Sequence, residues 1–148
     1  MGEMKVFITE PLPLVEEAVK ILEKHVSTVE VSDRFYDVVP PEKIRGCIAV
    51  IVGDSIINRD SLREADDLRL VQKAGVGVNT IDLDECTRRG IYVCNLPGVN
   101  AIDVAEYVLG AMILGLRDFP RMDRTARRAL WEQRPKLMGE RLTGKTVG

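Results

Sequence analysis

Five short runs of β-branched and apolar residues, each followed by an amphipathic or turn-rich stretch, set the tightest limit on what this chain can fold into. The runs are KVFIT (5–9), TVEVS (28–32), CIAVIVG (47–53), RLVQKA (69–74) and IYVCN (91–95). The central run is apolar throughout, as expected of a strand covered on both faces. Between the first two, PLVEEAVKILEKH places Leu14, Ala18 and Leu22 on one helical face, which Val15, Val19 and Ile21 widen. PPEKIRG predicts a short helix with proline at its start and glycine at its end. RDSLREADDL and TIDLDECTRRG predict two more helices, the second closing on Gly90. Strands that alternate with helices pair in parallel through right-handed crossovers. Residues 1–98 are therefore expected to form a three-layer α/β domain around a five-stranded parallel sheet.

The pattern changes after NLPGVN (95–100). Asn100 is a good N-cap, and Asp103 falls in the first turn of a helix expected to run to about Arg117. Around YVLGAMILGL that helix is apolar on all sides, so it should be buried between layers, domains or subunits. Gly110 and Gly115 weaken it and suggest close backbone approach there. Pro120 opens a second, basic helix, PRMDRTARRALWEQ, and GERLTGKTVG reads as the first residues of a new strand. A strand with no partner is not stable, so residues 99–148 are expected to be linking helices plus the start of a second, truncated domain.

Bulk properties exclude more than they assign. Of the 148 residues 45% are hydrophobic and 30% charged, ordinary values for a globular chain. A formal net charge of −2 gives no reason to expect a nucleic acid or an acidic membrane as partner. Arg117 to Lys145 holds 9 basic and 4 acidic residues, against 12 and 19 elsewhere, which a solvated helical surface explains. Cys47, Cys86 and Cys94 show no C-x-x-C spacing and His25 is the one histidine, so no metal site is expected. The N-terminal stretch lacks a signal-peptide core, and the apolar run Tyr107 to Leu116 is short of the roughly 20 residues a bilayer needs. Reduced thiols and these absences fit a cytoplasmic protein.

The chemistry is expected in KAGVGVNTIDLDE (73–85). Two glycines one residue apart, between a strand and a helix, suit a loop that holds a negative group on bare backbone N–H. The dinucleotide fingerprint G-x-G-x-x-G fails twice: Thr80 takes the place of the third glycine, and Asn95 stands where an acid should bind ribose. A smaller anion, such as a carboxylate, fits better: Gly75 and Gly77 would let it approach the Val76 and Gly77 amides, and a helix starting at Thr80 would add attraction. A plain strand-to-helix turn is the alternative. Asn100 follows the fifth strand, and its side chain could donate to the same anion in the crevice beyond the strand ends, or it could be an N-cap and nothing more.

Three segments carry a resemblance: KAGVGVNTIDLDECTRRGIYVCNLPGVNAIDVAEYVLGAMIL, then WEQ, then MGERLTGKTVG. In this order and spacing the chain resembles the D-2-hydroxyacid dehydrogenases, most strongly the D-3-phosphoglycerate dehydrogenases. The likeness is dense from Leu70 to Gly148 and follows only the layout before that. It implies a flavodoxin-like substrate domain leading into a truncated Rossmann domain, and an NAD-dependent enzyme acting on a small 2-hydroxy or 2-keto acid in serine biosynthesis. It also implies that Gly75, Val76, Gly77 and Asn100 bind the substrate carboxylate, and that the long helix contributes to a homodimer. The family's cofactor loop and catalytic arginine, glutamate and histidine would lie beyond Gly148, so no catalytic residue is assigned here and this stretch alone should be inactive.

Glyoxylate or hydroxypyruvate reduction is the alternative within that class. It draws on a departure from the pattern: IVGDSIINR has Gly53 and Asp54 where many phosphoglycerate dehydrogenases carry an arginine, and only Arg59 might reach back. The reading of another class is a flavodoxin-like regulatory module, for which Glu10 and Asp54 match a phosphoacceptor pattern loosely and the required lysine after the fifth strand is missing.

Overall fold

The computed structural model describes residues 4–148, which divide into a unit ending at Val99 and a unit from Asn100 to Gly148. Met1, Gly2 and Glu3, the first residues of the stretch read above for a leader, lie outside the described residues.

In the first unit the strands are β1 (Lys5–Ile8), β2 (Thr28–Val31), β3 (Cys47–Val52), β4 (Leu70–Lys73) and β5 (Tyr92–Cys94). They form one all-parallel sheet in the order β2-β1-β3-β4-β5. The helices are α1 (Val15–Leu22), α2 (Pro41–Ile44) and α3 (Leu83–Arg89). The β1-to-β2 connection runs one way across the sheet and the later ones run back, so right-handed crossovers put α1 on one face and α2 and α3 on the other.

Register explains where the core sits. Phe7, Val50, Val71 and Val93 lie side by side across β1, β3, β4 and β5, facing the α2 and α3 side. They join Ile44, Leu62 and Cys86 in a single buried cluster, with Val93 partly buried at its margin. The neighbouring row on the opposite face is Val6, Ala49, Leu70 and Tyr92. Burial fades along it, from Val6 at 3% exposure to Tyr92 at 76%. The expectation that β3 is covered on both faces therefore holds best on the face of the core cluster and only in part on the other, where Ala49 and Ile51 are half-buried. Only α1 crosses to the second face, and it contributes no buried residue.

Local differences have local causes. RDSLREADDL forms only a 3-10 turn, Ser61–Glu64, which buries Leu62. α3 starts at Leu83 rather than Thr80, because the Asp82 carboxylate caps it by accepting from the Glu85 N–H at 2.9 Å. It closes on Gly90 at φ +70°, in the left-handed region that ends helices.

The second unit comprises α4 (Ala101–Leu116), α5 (Phe119–Arg127) and a 3-10 segment, Trp131–Lys136. The basic helix expected to run through to Gln133 breaks at Ala129, which takes φ +53°. No residue of α4 is buried, so the expectation of a buried apolar helix is not met within this unit. A methyl added at Gly110 or Gly115 would meet nothing within 4 Å, so neither glycine marks a close approach among the described residues. That occurs at Gly139, where a Cβ would sit 2.5 Å from Arg117 Cα, while the Glu140 N–H donates to Leu116 O at 2.8 Å. Residues 145–148 form no strand, having no ladder partner among the described residues.

Candidate functional site

Ligands of open α/β sheets lodge beyond the carboxyl ends of the strands, and three strand ends meet there in the first unit. The ladder between β3 and β4 closes with the Ala74 N–H donating to Val52 O at 2.8 Å. Beyond it, every backbone N–H from Gly75 through Thr80 donates to no protein group among the described residues. The loop is held by its carbonyls instead. The Leu96 N–H donates to Gly75 O at 2.9 Å, and Asn95 Nδ2 donates to Val76 O at 2.7 Å. A Pro97–Gly98 turn secures this support, closing with Val99 N–H to Leu96 O at 3.4 Å. Gly98 supplies the positive φ, +75°, that such a turn requires at its second central residue.

Gly75, Val76 and Gly77 thus sit together in one exposed loop. Neither glycine has a positive φ. A methyl at Gly75 would rest 3.5 Å from Lys73 Cε, an ordinary contact, and one at Gly77 would come 3.0 Å from Asn79 Oδ1. What glycine provides at position 75 is access to the backbone, not an unusual conformation. The expected helix-end attraction is lost. α3 begins after the loop, has seven residues, and already has Asp82, Asp84 and Glu85 at its start. The Thr80 hydroxyl is buried without a hydrogen-bond partner among the described residues.

Two charged residues that sequence reasoning did not assign to the site lie at the same end of the sheet: Lys73 ends β4, and Glu10 follows β1. Lys73, 6% exposed, donates from Nζ to Gly53 O and lies 3.4 Å from Asp54 Oδ1. Glu10, 5% exposed, accepts from the Thr9 hydroxyl, the Asp54 N–H, the Ser55 N–H at 3.3 Å and the Ser55 hydroxyl at 2.5 Å. Burial works to raise the Glu10 pKa, but the hydroxyls of Ser55 and Thr9 and the amides of Asp54 and Ser55 outweigh it and hold it below the ordinary carboxylate value. No local signal in the sequence singles them out: Lys73 ends a run that also holds Gln72, and Glu10 follows Thr9.

These contacts correct the reading of residues 53–59. A side chain at Gly53 would overlap Glu10 Oε1 and stand 2.7 Å from Leu12 Cδ2, so a larger residue there would have to displace the Glu10 and Leu12 side chains. The Asp54 charge is not isolated, because Lys73 faces it. Arg59 does not reach back, since its Nε lies 3.5 Å from Glu85 Oε2 on α3. Asn100 begins α4 in the second unit, and its side chain makes no capping hydrogen bond. His25 is exposed just beyond α1. Among the described residues no cluster of His, Cys, Asp or Glu could hold a metal ion, and no helix is long and apolar enough to cross a membrane.

Comparison with known proteins matches residues 6–145 to the D-isomer specific 2-hydroxyacid dehydrogenase catalytic domain. A D-3-phosphoglycerate dehydrogenase of Methanocaldococcus jannaschii is 36% identical over 146 residues, covering 98% of this chain and 27% of the relative. The chain thus spans about a quarter of that relative's length. Among solved structures, an NAD+-bound 3-phosphoglycerate dehydrogenase of Entamoeba histolytica is similar at TM-score 0.64 and 29% identity, over 78% of this chain and 40% of that one. A D-lactate dehydrogenase of Aquifex aeolicus, complexed with NAD and lactic acid, shares the fold at TM-score 0.81 and 19% identity, over 93% and 41%.

Proposed function

The chain belongs to the D-isomer specific 2-hydroxyacid dehydrogenases, and from that membership we propose that it is the substrate-holding portion of a D-3-phosphoglycerate dehydrogenase-like enzyme. The observation that carries this reading is the run of unengaged N–H groups from Gly75 through Thr80, presented by a loop whose carbonyls are tied to the end of β5. In this reading the Val76 and Gly77 amides donate to the carboxylate of a 2-hydroxy or 2-keto acid, and Gly75 keeps the approach open. Asn100, which opens the second unit and makes no capping bond, is proposed as a further substrate-binding residue. Backbone amides suit this task because they are held in place before the ligand arrives.

NAD is the hydride carrier proposed for the whole enzyme, as its relatives' names imply. The residues described here do not fit it. The side chain at the end of β5 is Asn95, committed to Val76 O rather than open to a ribose, so no residue of this chain is assigned to the cofactor. We further place the enzyme in the cytoplasm, in keeping with its three free cysteines, and as a homodimer through α4, whose Ile102, Tyr107 and Leu109 stand at least half exposed.

An amide-resolved NMR titration with glyoxylate tests the site. Shifts should centre on residues 75–80, and a response confined to other residues would remove the carboxylate reading. A second reading, reduction of hydroxypyruvate or glyoxylate, is favoured by the absence of a cationic side chain at Gly53, where the Glu10 carboxylate occupies the adjoining space. It predicts a kcat/KM preference for phosphohydroxypyruvate over hydroxypyruvate well below a thousandfold, that is, less than about 4 kcal/mol of discrimination.

A further inference from the structure

We propose that Asn95 is a positioning residue that sets the direction of the Gly77 N–H, and with it the anion-binding geometry of the loop. The inference deepens the carboxylate reading and rests on it. A trans peptide points its carbonyl and its N–H in opposite directions, and the described backbone has no cis bonds. The Val76 carbonyl and the Gly77 N–H belong to one peptide unit. Because Asn95 Nδ2 draws that carbonyl toward the end of β5 at 2.7 Å, the Gly77 N–H is turned away from β5 and left unengaged. The preceding unit behaves alike: the Leu96 N–H holds Gly75 O at 2.9 Å and so turns the Val76 N–H the same way. Two adjacent N–H groups that point to one side form an anion-binding concavity.

The two supports differ in kind. Leu96 uses its backbone, so any residue there except proline can supply the bond. Asn95 uses its side chain, and the acceptor is a carbonyl, so the group at position 95 must donate. An aspartate of the same shape, ionised, would repel Val76 O and release the peptide. Asn95 is exposed, so its side chain contributes little to the buried core and its loss should spare the fold.

Two measurements on Asn95→Ala and Asn95→Asp test the proposal, each against the unsubstituted chain. The first needs no ligand. Amide residual dipolar couplings report the direction of each N–H, and both variants should change the Gly77 coupling while leaving Val71 and Val93 in the sheet unaltered. The second is glyoxylate affinity, read from the Val76 and Gly77 amides, which should fall about tenfold in Asn95→Ala and further in Asn95→Asp. In Asn95→Asp the Gly77 coupling should return toward its original value as acid protonates the new carboxyl, which then donates again. A Gly77 coupling unchanged in both variants would overturn the proposal. Altered couplings with unaltered glyoxylate affinity would also overturn it, by separating the Gly77 direction from binding. If the couplings change as expected but the unsubstituted chain shows no response to glyoxylate at all, the carboxylate reading fails while the hold of Asn95 on the loop stands.

Discussion

At Gly53 a single hydrogen atom decides what the crevice can contain. The Glu10 carboxylate fills the volume a side chain would need, and it is fixed there by the hydroxyls of Thr9 and Ser55 and two backbone amides. Gly53→Ala should therefore cost about 1–3 kcal/mol of stability, the usual range for overpacking. Chemical denaturation would measure it, and an unchanged midpoint would mean that Glu10 yields easily. Asn100 is a different case, exposed and without a capping bond. In the complete enzyme, Asn100→Ala should raise KM for the keto acid roughly ten- to a hundredfold, the worth of one hydrogen bond to a charged group, and change cofactor affinity much less. An unaltered KM would return Asn100 to the start of a helix. The sequence showed the glycines and Asn100 but not Glu10 or Lys73 as site residues, because their importance comes from what lies across the sheet from them.

The element scale is where charge becomes visible. Glu85, in the first turn of α3, is bound by Arg88 at 2.6 Å, Arg89 at 2.7 Å and Arg59 at 3.5 Å. Hydrogen bonds from Arg88 and then Arg89 hold its pKa at about 2, against an ordinary 4.5. A carboxylate whose folded pKa is depressed contributes stability above its unfolded pKa and loses that contribution as pH falls toward the folded one. The contribution should be complete at neutral pH and disappear between about pH 4.5 and 2. Glu85→Gln should lower the thermal midpoint at pH 7 and flatten its pH dependence through that window. Midpoints that run parallel to the parent's would show the arginines to be solvated rather than bound. Burial first, and then the nearby Asp82 and Glu85 carboxylates, push the Cys86 thiol on the same helix up to a pKa of about 11, which keeps it neutral.

At the scale of the whole molecule, α4 is the feature that its own unit does not account for. Ile102 and Tyr107 are 75% and 77% exposed, and Leu109 is half exposed. Apolar surface gathered along one helix rarely stays solvated. The chain should therefore self-associate in a concentration-dependent way, and Leu109→Asp with Tyr107→Lys should shift it toward monomer. Light scattering that finds the parent monomeric at high concentration would detach the homodimer proposal from this helix.

Strand number, parallel pairing, the loop at residues 75–77 and the family could all be read from the chain itself. Each is written in local pattern: alternation of β-branched and amphipathic runs, paired glycines and ordered short motifs. Other features needed the folded molecule. Helix RDSLREADDL shrank to one 3-10 turn, α3 moved past Thr80 to Leu83, and the second face of the sheet stayed partly open. Lys73 met Asp54, Glu10 closed off Gly53, and Asn95 turned from a failed ribose ligand into the support of the glycine loop. These outcomes depend on which groups crossovers and register bring within hydrogen-bond reach, 19 residues apart for Asn95 and Val76 and 44 for Glu10 and Asp54. Propensity acts on neighbours in sequence, and only the tertiary structure chooses neighbours in space.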